Sequence, residues 1–361
     1  MRARLLVCAL IATALLIPAT PGATATPAWS VTSGSTSATT VQLSAVSCVS
    51  ATSCMAVGRI GNNTATSKAY AESWNGKKWS VTPVPGPKGS WLFGVSCVSA
   101  TFCQAVGWAD NDTNALTERW NGQAWVRVAN PLHGSTLASL SSVSCVARDW
   151  CVAVGNYFDE SAGYTRTLIE RWNGKAWSLV GSPNRGTVSS TLFGVSCASR
   201  TWCTAVGNSF VGSFSGPSHT LIERWNGKAW IIVATPNPVP NDYQILRGVS
   251  CASAASCTAV GRSVNGTLVE SWNGRFWALI PSPSKDLGNE LDGVDCASAA
   301  SCQAVGSVSG STLSESWDGH VWSITPSPNA AKGYNALAGV SCISAVSCTA
   351  VGPGNFIFAY R

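Results

Sequence analysis

Gly194-Val195-Ser196-Cys197, five residues, Cys203-Thr204-Ala205-Val206-Gly207, a variable stretch, then Glu223-Arg224-Trp225-Asn226-Gly227-Lys228-Ala229-Trp230: the chain returns to this pattern along its whole length. The cysteine pairs recur at Cys48/Cys54, Cys97/Cys103, Cys145/Cys151, Cys197/Cys203, Cys251/Cys257, Cys296/Cys302 and Cys342/Cys348. Successive first cysteines lie 49, 48, 52, 54, 45 and 46 residues apart. Periods of this length, made of short strands and turns, build a β-propeller or a similar array, because one unit cannot bury its own faces.

One repeat reads as four antiparallel strands. Residues 191–197 and 203–207 form the first two, joined by a five-residue loop, and residues 220–225 form the third. Asn226-Gly227 is a hairpin turn, since both residues tolerate positive φ. Residues 230–233 form the fourth, which Pro236 and Pro238 stop. Four such strands make a propeller blade. The innermost strand is marked by size: Ala45, Gly94, Ser142, Gly194, Gly248, Gly293 and Gly339 stand three residues before the first cysteines, as expected where seven strands crowd an axis.

The two ends of the chain complement each other. The seventh repeat stops at Phe358-Ala359-Tyr360-Arg361, the end of a third strand, and has no fourth. Ala28-Trp29-Ser30-Val31-Thr32 matches the fourth strand Lys78-Trp79-Ser80-Val81-Thr82. The expected fold is therefore all-β, a single seven-bladed β-propeller closed by an N-terminal strand that completes the last blade. Closure removes open sheet edges. Each cysteine pair is expected to form a disulfide across the first two strands of its blade. Metal sites are the rival reading, but two cysteines with no nearby His fall short of what zinc needs.

The N-terminus reads as a secretory signal over residues 1–25. Arg2 and Arg4 precede an apolar run too short to span a bilayer, and Ala23-Thr24-Ala25 suits cleavage. Its removal takes away Cys8 and leaves fourteen cysteines, an even count suited to an oxidising compartment. Residues 26–361 then form the propeller, secreted, extracellular and monomeric. No later segment is long and apolar enough for a membrane helix. Losing Arg2 and Arg4 lowers the formal net charge from +6 to +4, with no basic cluster, which argues against a nucleic-acid partner. The 11% charged fraction is low because blades cover each other on both faces.

The repeat resembles the tandem β-propeller proteins secreted by actinobacteria and, more loosely, kelch and WD40 propellers. The resemblance covers the mature chain and implies fold alone, since propellers host enzymes, lectins and scaffolds. The hairpin Ser316-Trp317-Asp318-Gly319-His320-Val321-Trp322 lacks the spacer of a sialidase Asp-box, so that chemistry is not carried over.

What recurs is expected to be scaffold. Glu72, Glu118, Glu170, Glu223, Glu270 and Glu315 share one third-strand slot and read as satisfied structural carboxylates. The paired Trp of the six hairpins read as packing between blades, or as one sugar-stacking site per blade in a lectin. The departures point to function. Phe102, Trp150 and Trp202 precede the second cysteine in blades two to four, where the others have Ser53, Ser256, Ser301 and Ser347. With Arg148, Asp149 and Arg200 they form a candidate recognition patch, or they fold back over the disulfides. On the opposite face the longest loops carry Tyr157, Phe158, Tyr164, Phe210 and Phe214. That face also holds Asp110, Asp112, Asp159, Glu160, Asp242, Asp286 and Glu290, while Asp292 and Asp295 bracket the inner strand of blade six and Arg247 precedes that of blade five.

Asp110-x-Asp112-x-Asn114 lacks the rest of a calcium loop, and no nucleotide or hydrolase motif appears. No metal or cofactor is expected. The leading expectation is a non-catalytic binding module for a glycan or an extracellular protein. The alternative is a glycan-active hydrolase or lyase using loop carboxylates at the channel mouth.

Overall fold

A computed structural model describes residues 27–35, 40–63, 65–109, 114–132, 137–184, 189–210, 216–239, 241–284, 288–330 and 335–361. They form seven four-stranded antiparallel sheets, whose first strands all line one central cavity. Blades 1 to 7 occupy residues 41–81, 90–127, 138–179, 190–233, 244–279, 290–324 and 339–360. The region read as a signal peptide lies outside the described residues. Among those described, no helix is long and apolar enough to cross a membrane.

Blade 4 shows how the repeat folds. Its strands are Ser190–Ser199, Trp202–Phe210, Ser218–Trp225 and Trp230–Val233. The expected five-residue loop after Cys197 is shorter than that: Ser199 pairs with Trp202, and only Arg200 and Thr201 make the turn. The same correction holds at the end of the ring, where Ser298 pairs with Ser301 and Ser344 with Ser347. Cys302 and Cys348 are therefore the second residues of their strands, Ser301–Val308 and Ser347–Val351, and not the first as the spacing suggests.

All seven expected disulfides are formed. Cys48–Cys54, Cys97–Cys103, Cys145–Cys151, Cys197–Cys203, Cys251–Cys257, Cys296–Cys302 and Cys342–Cys348 each join a first strand to a second. In every blade the two cysteines stand opposite each other in register, as Cys296 does with Cys302 and Cys342 with Cys348. Disulfides persist in oxidising compartments, in keeping with an extracellular protein.

Blade 7 is completed from the other end of the chain. Trp29–Ser33 pairs antiparallel with Phe356–Tyr360, with Trp29 opposite Tyr360 and Thr32 opposite Ile357. Trp29 is buried, and its Nε1 donates to Ser314 Oγ of blade 6 at 2.9 Å. The ring is closed as the sequence predicts.

The core lies between blades. Leu92, Leu140, Leu192, Leu246 and Leu291 of the first strands have no exposure, and neither do the second-strand valines Val106, Val154, Val206, Val260 and Val305. At the axis the strands approach so closely that a Cβ on Gly194 would stand 2.9 Å from the Arg247 carbonyl oxygen. Hydrogen bonds link neighbouring blades there too. Each amide of Cys97, Cys145, Cys197, Cys251 and Cys296 donates at 3.0 Å to a serine hydroxyl of the preceding blade, from Ser47, Ser96, Ser144, Ser196 and Ser250 in turn. In blade 6 Asp295 takes the serine's place and accepts from Cys342 at 2.6 Å and from Ser250 Oγ at 3.1 Å. Asp295 is thus a joint between blades.

The six recurring glutamates are fully buried. Five meet a donor from an adjoining part of the ring: Glu72 meets Ser35, Glu170 Asn130, Glu223 Ser182, Glu270 Thr220 and Glu315 Ser282. Asn130, Ser182 and Ser282 each stand five residues after the last hairpin Trp of the preceding blade. For Glu118 that slot holds Val84, and neither carboxylate oxygen has a hydrogen-bond partner.

Candidate functional site

A β-bulge shapes the inner wall of the ring. In six blades the register between first and second strands skips one residue, as between Leu192 and Gly194. The partner glycine of the second strand makes the bulge possible. A Cβ on Gly207 would stand 1.9 Å from the Thr191 carbonyl oxygen, a collision no side chain survives. A bulge re-aims one side chain, and here it presents that side chain to the central cavity.

The skipped residues are Ser44, Phe93, Ser141, Phe193, Arg247 and Asp292. Their neighbours on either side recur from blade to blade, whereas the skipped position itself changes chemistry around the ring. The cavity they border measures about 160 Å³ and is also lined by Ala338, just before the first strand of blade 7.

Charge and aromatic rings gather where the bulges meet the mouth on the side of the strand-two to strand-three connections. Arg247 Nε lies 3.6 Å from Asp292 Oδ1, and its Nη2 lies 3.9 Å from Glu290 Oε2. Its guanidinium stands 5.3 Å from the Phe193 ring. Arg262 approaches Glu290 Oε2 at 3.6 Å and stands 5.3 Å from the Tyr243 ring. In blades 1 and 2, Arg59 lies 3.8 Å over Trp91, whose Nε1 donates to Ser44 Oγ at 2.7 Å and whose ring packs on Phe93 at 4.9 Å.

The acids of this mouth do converge in part. Burial pushes Asp292 up to about 7, with the Glu290 charge adding to the rise and Arg247 and Arg262 opposing it. Asp159 serves its own hairpin instead: it accepts from Ser161 and from Arg166 at 2.5 Å, which hold it down at about 2. Asp242 accepts from the Tyr243 amide, and Glu160 is exposed. Asp110, Asp112 and Asp286 lie outside the described residues.

The loop aromatics stand on this face. Phe158 and Tyr164 sit on a two-stranded extension of blade 3, in which Asp159 pairs with Tyr164, and Tyr157 stands at its base, paired with Arg166 and with Ala138. Arg166 stands 5.0 Å from the Tyr164 ring. Phe210 is half-buried at the end of its strand, and Phe214 lies outside the described residues.

The expected patch on the disulfide face needs correction. Phe102 and Trp150 are buried, at 6% and 8% exposure, and Trp202 is half-buried. Because the turn is only two residues long, each begins the second strand and alternation turns it toward the next blade. Phe102 packs with Cys151 and Trp172, Trp150 with Cys203 and Trp230, and Trp202 with Cys257 and Trp277. The charged neighbours tie adjacent turns together: Arg148 donates to Ser99 and Thr101, and Arg200 pairs with Asp149 at 2.5 Å. Folding back over the disulfides, the other reading of these residues, is what they do.

The second cysteines are core residues on this face. Cys54, Cys103, Cys151, Cys203, Cys257, Cys302 and Cys348 are all buried. Cys302 packs in one cluster with Val294 and Trp322, and Cys348 in another with Trp29 and Phe358. In blades 6 and 7 the preceding residue is Ser301 or Ser347, so the cysteine is covered without an aromatic in front of it.

Sequence reasoning missed Arg59, Trp91, Phe93, Phe193, Arg262 and Tyr243. A signal was present: the residue just before each tiny axial residue varies while its neighbours do not.

No protein-family model matches the sequence, and no curated protein matches it. Among solved structures the fold is similar to one described as "YCF48 bound to D1 peptide", at TM-score 0.58 and 14% identity over 95% of this chain and 99% of that one. It is also similar to the WD40 β-propeller domain of Doa1, at TM-score 0.59 and 12% identity over 89% and 93%. The RRP9 WD40 repeats match at TM-score 0.62 and 11% identity over 93% and 99%. At such identities the likeness establishes fold alone: a seven-bladed β-propeller.

Proposed function

We propose that the chain is a secreted binding module, of the kind its repeat resembles in actinobacteria, which docks an extended segment of an extracellular protein across the channel mouth. The bulge position carries this reading, since it is where a repeating scaffold presents unrepeated chemistry to solvent. Arginines flanked by aromatic rings are the residues that dominate recognition surfaces. The presence of a bound peptide on a propeller of similar fold supports the choice of a peptide segment over a glycan.

Selection of displayed random peptides on mature protein, followed by calorimetry, tests it. The expected result is one peptide per chain, with Arg247→Ala and Phe193→Ala weakening binding at least about tenfold and Arg148→Ala leaving it unchanged. Peptides that bind equally to all variants, or none at all, overturn the reading.

The convergence of Glu290 and Asp292, with Asp292 raised to about 7, favours one second reading: a glycan-active enzyme using that pair as acid and base. Turnover of a polysaccharide that Asp292→Asn abolishes would establish it.

A further inference from the structure

We infer that the cleft between blades 1 and 2, on the disulfide face and away from the channel mouth, is a socket for a protruding aromatic side chain of a protein ligand. The inference rests on the chain's own repetition. In blades 2, 3 and 4 the residue before the second cysteine is Phe102, Trp150 or Trp202, and the third strand carries Arg119, Arg171 or Arg224 before its Trp. In blade 1 both positions are serine, Ser53 and Ser73, as they are in blade 5 (Ser256, Ser271) and blade 6 (Ser301, Ser316). The two positions change together because they face the same gap between blades. Arg224 stands 4.8 Å from the Trp202 ring and 5.6 Å from the Trp272 ring of the next blade.

Where the aromatic is present, it fills that gap. Trp202 lies 6.1 Å from Trp272 and packs in one cluster with Cys251 and Cys257. Where Ser53 and Ser73 replace the pair, a cleft of about 430 Å³ opens. Its far wall is built from Cys97, Cys103 and Trp120, the blade 2 counterparts of the residues Trp202 packs against. That volume falls within the roughly 300–1,000 Å³ of small-ligand pockets. The cleft has the walls of a ring-binding slot without the ring.

The polar groups of the cleft favour a ring over a sugar. Ser47 Oγ accepts from the Cys97 amide, and Ser50 Oγ accepts from the Thr52 amide. Asn75 accepts from Lys77 and Lys78, and Trp74 and Trp120 donate to the carbonyls of Ala51 and Ala100. Orientation of a sugar needs several placed polar partners, and Ser47, Ser50, Asn75, Trp74 and Trp120 already have partners within the protein. Exposed indole surface and small side chains remain. A tryptophan or phenylalanine followed by a cation would restore the Trp202–Arg224 arrangement.

The probe is an acetylated, amidated Trp-Arg dipeptide carrying a fluorinated indole, followed by fluorine NMR with the mature protein. Saturable broadening of the probe signal is expected with wild type. Ser53→Trp combined with Ser73→Arg, which installs the blade 4 pair, should weaken binding at least about tenfold. Ser53→Phe, which copies Phe102, should do the same and guards against misfolding of the double variant. Phe193→Ala, at the channel mouth, should leave the probe's affinity unchanged, which separates this site from the peptide site proposed above. An absence of saturable binding overturns the inference, as does equal binding by the filled variants. Binding of methyl glucoside but not of the dipeptide, lost on filling, would make the cleft a sugar site and also overturn it.

Discussion

The backbone amide of Cys48, in the first blade, donates to Ser341 Oγ of the last at 3.0 Å. It closes a ring of seven hydrogen bonds in which every blade holds the next by the amide of its first cysteine. The Ser-Cys dipeptide therefore recurs for two reasons at once, since the cysteine staples its own blade and the serine grips the following one. The ring joins the first blade to the last, whose outer strand is the N-terminal Trp29–Ser33.

Deleting residues 26–34 should expose that dependence. The truncation removes buried Trp29, which packs against Cys348 and Phe358, and leaves Phe356–Tyr360 with an unpaired edge. Burial of one large apolar side chain contributes roughly 1.5–3 kcal/mol, and an open edge invites pairing with a second chain. Differential scanning calorimetry should show a lower Tm, and sedimentation should show association. A truncation that melts and sediments like the chain of residues 26–361 would refute closure as a source of stability.

Stability should fall with rising pH. Burial raises Glu118, Glu170, Glu270 and Glu315 from the ordinary 4.5 to about 7, and Glu223 to about 8. The folded state then holds protons that the unfolded chain has released, so stability is fully present below about 4.5 and drains away up to about pH 8. Tm should be higher at about pH 5 than at about pH 8.5. Glu118 gains most from a new partner, so Val84→Ser, which places a hydroxyl in the slot that serves other blades, should stabilise the protein at the higher pH by about 1–2 kcal/mol. An unchanged Tm in that variant at both pH values would show that Val84 is not the cause.

Trp150→Ser is expected to destabilise, although serine occupies the same slot in four other blades. Trp150 fills an interface whose other walls are Cys203, Trp225 and Trp230. Its removal leaves a cavity of the kind that costs about 3–5 kcal/mol. Denaturant midpoints for Trp150→Ser and for Arg148→Ala, an exposed side chain, give the comparison. Equal midpoints would mean that the interface recloses around serine.

The sequence by itself determined the fold. Seven periods, a hairpin turn in six of them, tiny residues at one strand position and complementary chain ends leave little but a closed ring, because each of these is a local requirement of backbone geometry. The disulfides, through to Cys296–Cys302 and Cys342–Cys348, followed from the same spacing. What the aromatics do was decided only in three dimensions. Whether Phe102, Trp150 and Trp202 face solvent depends on a turn being two residues long instead of five, since a residue that begins a strand shares its alternation and points to one face, while a loop residue need not. The mouth was hidden for a related reason. Phe93, Phe193, Arg247 and Asp292 belong to four different repeats, and a bulge in each blade, invisible to strict alternation, turns all four into one cavity. Local geometry is written in neighbouring residues, while a site assembled once per ring exists only after the ring has closed.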